Sequence, residues 1–338
     1  MIIGLIICLL LALIATFLAG LQNYIGAPMV GLLLGIVISN LWPVSSEIQK
    51  GTKFASGKLL KFGIVLAGGT LSFASIMGSG VKALPFIIFN VILSIVVGLF
   101  FGRRLGTSQN TGLLVGGGTA ICGGTAIATL TSIIKATEEE FAYAMAAIFF
   151  FDIFAAIMWP YAALAMKFSP EQFGMLSGLA ISDTASVTAA GVTFDGLSNG
   201  LVGAAGLTGG QIAVVIKLVR TTMLIFVAMG AVIYMLRNSG GQESSNLSLR
   251  EQLVKTFPYF VLGFLALALA KTFGLIPDLI APWLGKGNKF LITMALVGVG
   301  YKIKLKDIFS KGLKPIFLGG LTWLAVAVST LIFVIFLI

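Results

Sequence analysis

Apolar residues come in long runs separated by short polar stretches. A helix that crosses a bilayer needs ~20 mainly apolar residues. Runs at or near that length lie at 2–20, 27–43, 62–78, 83–102, 141–165, 212–236, 258–276, 288–303 and 315–337. Two further segments, 112–134 and 173–194, are apolar enough to enter a membrane but rich in Gly, Ser and Thr. Connections are short, apart from a polar loop at 237–257. The pattern predicts an all-α polytopic membrane protein of about 10–11 transmembrane segments, forming one integral domain over 1–338.

Composition agrees. The chain is 58% hydrophobic and 10% charged, against roughly 25% charged residues in a soluble domain, so lipid must be its solvent. The first run could be a cleaved signal peptide. It lacks a basic stretch before it and is long enough to span, which predicts a retained first helix. The net charge of +10 would suit nucleic acid, but the basic residues sit in short loops between apolar runs. That is the distribution of cytoplasmic loops, and no nucleic-acid partner is expected. Lys50, Lys53, Lys58 and Lys61 flank one loop, and Arg103 and Arg104 occupy a second. Arg237, Arg250 and Lys255 lie in a third, and Lys302, Lys304, Lys306, Lys311 and Lys314 in a fourth. Counting spans alternately puts all four on one side, which predicts a multi-pass protein with a cytoplasmic N-terminus and an external C-terminus. Histidine is absent and the two cysteines, Cys8 and Cys122, are far apart. No disulfide framework, zinc spacing or cofactor site is read from them.

Two repeats are visible. Gly68 to Lys82 lies over Gly300 to Lys314 at a constant offset of 232, with Gly68/Gly300, Ile76/Ile308, Gly80/Gly312 and Lys82/Lys314 in register. The predicted orientation makes these copies inverted, as in many secondary transporters; the alternative is chance similarity between apolar loops. The second repeat matches Gly118-Thr-Ala-Ile-Cys122 to Gly178-Leu-Ala-Ile-Ser182 at an offset of 60.

Candidate chemistry falls on the second repeat. The run Gly116-Gly-Gly-Thr-Ala-Ile-Cys-Gly-Gly-Thr125 holds five glycines in ten residues. Each costs ~1 kcal/mol relative to alanine inside a helix, so a break is expected. The freed backbone groups must then be paired by protein, water or solute, and a half-helix N-terminus suits an anion. Tight packing through small residues is the competing explanation. No Gly-Lys-Ser/Thr ends the run, so it is not a P-loop. In Ser182-Asp183-Thr184-Ala185-Ser186 a carboxylate stands among hydroxyls in an apolar stretch. An ionised Asp deep in a membrane costs at least ~2.5–3.5 kcal/mol, which points to a solute or ion site; a helix cap is the compatible alternative. Lys217 and Arg220 share a helix face. Lys217 is close enough to a helix end to snorkel, whereas Arg220 is deeper and could pair with Asp183 or attract an anion. Asp152, beside Phe149, Phe150 and Phe151, is either a partner for those cations or a proton carrier. Asn90 is read as an interhelical hydrogen bond. The solute site is assigned to Thr119, Cys122, Gly123, Gly124, Thr125, Ser182, Thr184, Ser186 and Arg220, and ion coupling to Asp183 and Asp152. Whether 112–134 and 173–194 cross fully or re-enter as hairpins is left open, since either preserves the direction of every other helix.

At these segments the chain resembles the YeiH-type family of bacterial inner-membrane proteins associated with sulfate export. Gly118-Thr-Ala-Ile-Cys122-Gly123 matches that family's G-x-S-I-C-G-type motif, and Ser182 to Gly191 falls on a motif of the form H-E-x-A-Q-V-x-A-A-G. Phe168-Ser-Pro-Glu-Gln-Phe-Gly174 also matches, and the likeness runs through nearly the whole chain. Ser182-Asp183 and Ser186 stand where the family has His-Glu and Gln, so an acidic role carries to Asp183 and the histidine's role does not. The first motif is also similar to the broken-helix region of bile-acid/sodium symporters, in a superfamily that includes cation/proton antiporters. The resemblance implies a bacterial inner-membrane transporter built from a panel and a core, with crossed discontinuous helices.

These readings converge on a secondary active transporter of a small anion, such as sulfate, sulfite or an organic anion, coupled to H⁺ or Na⁺. A sodium/proton antiporter is the alternative. A channel is disfavoured because no ring of repeated polar residues is visible. An enzyme is disfavoured because, without histidine, Asp152 and Asp183 alone could act as acid or base. The expected partners are the solute and the bilayer; oligomeric state stays open, a homodimer among the options.

Overall fold

The computed structural model describes residues 1–21, 27–42, 45–70, 73–204, 206–238, 259–277, 279–302 and 313–337. Arg250, Lys255, Lys304, Lys306, Lys311 and most of the second copy of the offset-232 repeat lie outside the described residues.

Among the described residues the chain is almost wholly helical. The helices are α1 (Ile2–Gly20), α2 (Ala27–Leu41), α3 (Ser46–Phe54), α4 (Leu60–Gly68), α5 (Phe73–Arg104), α6 (Gln109–Ala120), α7 (Gly124–Ile134) and α8 (Glu138–Ala165). They continue as α9 (Pro170–Ala180), α10 (Thr184–Leu197), α11 (Gly209–Thr222), α12 (Leu224–Asn238), α13 (Tyr259–Thr272), α14 (Ala281–Gly300) and α15 (Leu313–Leu337). Among the described residues five stretches are long and apolar enough to cross a membrane: Ile2–Gly20, Met77–Arg104, Glu139–Ala165, Gly209–Ile233 and Leu313–Leu337. Leu9, Phe17, Ile92, Phe100, Phe226 and Phe336 are among the large apolar side chains they expose, as a lipid-facing surface requires. The chain is a multi-pass membrane protein.

One predicted span differs. The run 62–78 is not a single span: it is divided between the end of a longer helix, in which a π-helical turn, Ala55–Leu59, joins α3 to α4, and the start of α5 at Phe73. Hydropathy understates its start because Lys50, Lys53 and Lys58 interrupt the apolar pattern. The helix begins at Ser45, whose side chain accepts from the Ile48 N–H at 3.4 Å. Beyond Gly68 the chain turns, and the Phe73 N–H is donated to Thr272 Oγ1 at 2.7 Å.

The helices sort into two bundles by their packing. α1, α2, α3, α4, α13 and α14 form one, a panel; α5 to α12 and α15 form the other, a core. In the panel, α4 and α14 are antiparallel: Gly63 lies on Ile292 and Gly69 on Leu284. In the core, α5 and α15 are antiparallel, with Phe86 and Phe333 centroids 4.8 Å apart. Asn90 donates to Thr330 Oγ1 at 2.9 Å and accepts from Ser329 Oγ at 2.7 Å, the interhelical role expected of it. The α4–α5 and α14–α15 pairs, which carry the offset-232 match, therefore run in opposite directions.

The two Gly-rich segments are both discontinuous, and the offset of 60 holds at their breaks. α6 ends at Ala120 and α9 at Ala180; α7 starts at Gly124 and α10 at Thr184. Each pair folds back on itself as a helical hairpin. Gly118 packs against Ile127 and Gly117 against Leu130, so α6 and α7 are antiparallel. Their open ends meet at the start of α8, where Ser108 and Asn110 donate to the Glu140 carboxylate. In the second hairpin Phe173 of α9 stacks on Phe194 of α10, centroids 3.8 Å apart and 4° from parallel. Its open end lies near Gly209, at the start of α11. Because α8 connects one open end to the other across 28 residues, the hairpins enter the core from opposite ends and their tips meet inside it.

Candidate functional site

The site is built where the tips, residues 121–123 and 181–183, meet. The turn at the first tip needs glycine. Gly123 has φ +62°, a conformation that side-chain-bearing residues rarely adopt, and its N–H is donated back to Gly118 O at 3.0 Å. Other glycines of the run serve packing. A Cβ on Gly116 would sit 2.8 Å from Ser94 O, and one on Gly112 would sit 2.8 Å from Gly98 O, so α5 and α6 touch backbone to backbone. The glycine cluster thus does both jobs that its sequence allows.

A half-helix that ends inside the core leaves carbonyls at its C-terminus and N–H groups at its N-terminus unpaired. The carbonyls are met by two cations from α11. Lys217 Nζ donates to Ile121 O and to Ile181 O, the latter at 3.3 Å, and so ties the two tips together. Arg220 donates from Nε to Ala120 O at 2.6 Å, and from Nη1 to Leu179 O at 2.6 Å, Ile181 O at 3.1 Å and Gly178 O at 3.4 Å. Its Nη2 donates to Thr119 O. Both side chains are buried, Lys217 at 0% and Arg220 at 1% exposure. Lys217 is therefore no snorkelling side chain, and the guanidinium meets carbonyls where pairing with Asp183 was one expectation. Positive charge at the negative ends of two helix dipoles is favourable placement.

The N-terminal end of α10 receives the opposite sign. Asp152, fully buried in the middle of α8, accepts the Ser182 N–H at 2.6 Å and the Asp183 N–H at 2.9 Å, one on each oxygen. Asp183 is the N-cap of α10 and accepts from Ser186 N at 3.1 Å through Oδ2. Two carboxylates and two cations meet at the crossing, so its formal charge is zero. The α7 end is different: no side chain caps it, and it faces a cavity.

That cavity, of about 620 Å³, lies between panel and core. The core contributes Cys122, Gly124, Thr125, Asp183 and Thr184, and the panel contributes Ser56 from the π-helical turn, Lys61 and Lys302. A second cavity, of about 770 Å³, occupies the other end of the same interface, lined by Thr188, Asp195 and Gln211 from the core and Asn288 and Lys289 from the panel. Ile64, 1% exposed, lines both. One face of α10 runs from the first cavity to the second, through Thr184, Thr188 and Val192.

The predicted site residues thus divide. Cys122, Gly124, Thr125, Asp183 and Thr184 line the first cavity. Gly123 shapes the turn, while Thr119 and Arg220 pair with each other inside the core. Ser182, Ser186 and Asp152 belong to the capping of α10, and Asp152 meets backbone N–H groups where a cation partner was one expectation. Lys61, Lys302, Ser56 and Ile64 were missed as site residues. The two lysines were absorbed into the charge bias of the loops, and an apolar residue such as Ile64 carries no chemical signal.

Comparison with known proteins places the chain among membrane proteins. The family model described as Conserved hypothetical protein 698 matches residues 3–319. The chain is 33% identical over 335 residues to a UPF0324 membrane protein of Streptococcus pyogenes serotype M18, covering 97% of this chain and 95% of that one. It is 32% identical over 334 residues to a UPF0324 membrane protein of Streptococcus pneumoniae, with the same coverage. A UPF0324 membrane protein of Fusobacterium nucleatum is 30% identical over 345 residues, covering 97% and 96%.

Proposed function

The chain belongs to the Conserved hypothetical protein 698 family, the UPF0324 membrane proteins, and from that premise we propose that it is a secondary active transporter of a small anion, coupled to H⁺ or Na⁺. One observation carries the reading: two cavities open at opposite ends of a single panel–core interface, and the broken tips of two opposed hairpins lie between them. Alternating access needs a solute site that either side can reach when one bundle rocks against the other. Here the barrier between the cavities is thin, with Ile64 in both walls.

The polarity of the first cavity favours an anion. Lys61, Lys302 and the uncapped α7 N-terminus face it, against one carboxylate among the described residues, that of Asp183, because Asp152 is turned to the backbone of the second tip. The volume suits a small solute, and the YeiH-type resemblance suggests sulfate or sulfite. We place the protein in the bacterial inner membrane with the N-terminus cytoplasmic and the C-terminus outside. The α6–α7 hairpin then re-enters from the cytoplasm and the α9–α10 hairpin from outside.

Uptake by proteoliposomes tests this reading. Purified protein is reconstituted and offered radiolabelled sulfate, sulfite, taurine and small carboxylates under imposed H⁺ or Na⁺ gradients. Saturable flux of at least one anion above protein-free vesicles is expected. Vesicles that exchange Na⁺ for H⁺ with no anion present would replace the proposal with the antiporter.

A further inference from the structure

We infer that Lys217 and Arg220 fill the seat that a transported metal cation would take at the crossing, so that the protein binds no Na⁺ there and is coupled by a proton on Asp183. The coupling clause rests on the transporter reading above; the occupied seat does not.

Unwound carbonyls and half-helix C-termini are the groups with which secondary transporters coordinate Na⁺. In this protein the carbonyls of Thr119, Ala120, Ile121, Gly178, Leu179 and Ile181 all accept from the two side chains. The ammonium of Lys217 lies between the tips, where a bare cation would have to bridge Ile121 O and Ile181 O. Both oxygens of Asp152 accept N–H groups. What remains toward the cavity, among the described residues, is Asp183, with Thr125 and Thr184 from the core and Ser56 from the panel. Hard cations need a shell of several oxygens, and with the tip carbonyls and Asp152 engaged, one carboxylate, Asp183, is left for it among the described residues of the cavity wall. A proton needs a single carboxylate.

The charges around Asp183 fix the sign of the coupling. Asp152 faces it from α8, Lys217 from α11, Cys122 from the first tip and Lys302 from the end of α14; Lys61 lies across the cavity on α4, and Arg220, one turn beyond Lys217, is turned to the carbonyls. With both aspartates ionised the crossing carries two positive and two negative charges. Protonating Asp183 leaves a net positive charge beside a cavity that already faces two lysines, so proton and anion reinforce each other's binding.

The test begins without a solute. Full-length protein in detergent is dialysed against radioactive sodium, and its thermal unfolding is followed in Na⁺ and in choline at equal ionic strength. Wild type should retain no sodium and show no shift. Lys217→Ala, which vacates the carbonyls of Ile121 and Ile181, should be stabilised by Na⁺ and not by choline, and Lys217→Arg should restore indifference. Sodium bound by wild type and lost in Asp183→Asn would overturn the inference, as would a folded Lys217→Ala that ignores Na⁺. If Lys217→Ala does not fold, wild-type sodium binding decides alone. In proteoliposomes, sulfate accumulation should survive choline replacement and disappear with a protonophore; accumulation that demands Na⁺ would refute the coupling. Absence of flux for every anion would instead strike the transporter reading and leave the sodium result standing.

Discussion

Asp152 and Asp183 are both carboxylates at the crossing, yet they do different work. Asp152 gives one oxygen to each of two backbone N–H groups, so an amide in its place offers one acceptor for two donors. Asp152→Asn should therefore lose about 1–3 kcal/mol, the cost of stranding one buried donor. A lower unfolding temperature and the loss of all flux, whatever the gradient, would register it. Asp183 accepts from the N–H and the hydroxyl of Ser186 in its own helix, both through Oδ2, and asparagine caps as well as aspartate does. Asp183→Asn should unfold like wild type, lose accumulation driven by an ion gradient, and keep exchange of labelled for unlabelled solute. An Asp183→Asn variant that still accumulates solute would reduce Asp183 to a cap. The sequence made Asp183 legible because a carboxylate among hydroxyls in an apolar run is expensive wherever it ends up. It hid the role of Asp152, because the donors lie 30 residues along the chain and are backbone groups, which look alike at every position. Lys217 and Arg220 were visible as a pair on one face, but their acceptors, the carbonyls of residues 119–121, 178, 179 and 181, were invisible for the same reason.

The fold-back of each Gly-rich segment on itself follows from contacts made at its open end. Glu140 holds the start of α6 beside the start of α8, and Phe173 on Phe194 closes α9 against α10. Glycine clustering announced where the helices would stop but not which way the chain would leave. Reversal depends on residues well separated in sequence: Ser108 with Glu140, Gly118 with Ile127 and Phe173 with Phe194. The long helix of α3 and α4 was half legible. Its lysines read as a loop, although the helix buries Thr52, Ala55, Ser56 and Ile64 on its other face. Opposite it, α10 presents Thr184, Thr188 and Val192, and Ile64 closes the space between. Ile64→Gly should join the two cavities and let solute leak downhill; vesicles should then equilibrate solute without concentrating it. Ile64→Val removes one methylene and should leave accumulation close to wild type.

At the scale of the molecule, the panel holds the antiparallel helix pair α4/α14 and the core holds α5/α15, and the interface between the bundles is where both cavities lie. The proposed direction of every helix rests on the charge bias of basic loops alone, and the loop that weighs most, 302–314, lies mainly outside the described residues. Lys306→Cys in intact cells should resist an impermeant thiol reagent and react after lysis; labelling without lysis would reverse the proposed orientation. The two hairpins impose a further demand, on the surrounding lipid. α6 has 12 residues and α9 has 11, which at about 1.5 Å per residue reach ~17–18 Å, close to half of a ~30 Å hydrocarbon layer. On the proposed topology their meeting point is set by two separate reaches, each anchored at its own water boundary. A thicker bilayer pulls the anchors apart and a thinner one drives the arms past each other, at a cost of fractions of a kcal/mol per Å. Transport measured in phosphatidylcholines of increasing acyl length should peak at a matched thickness and fall on both sides, which makes membrane composition a determinant of activity with no lipid-binding pocket required.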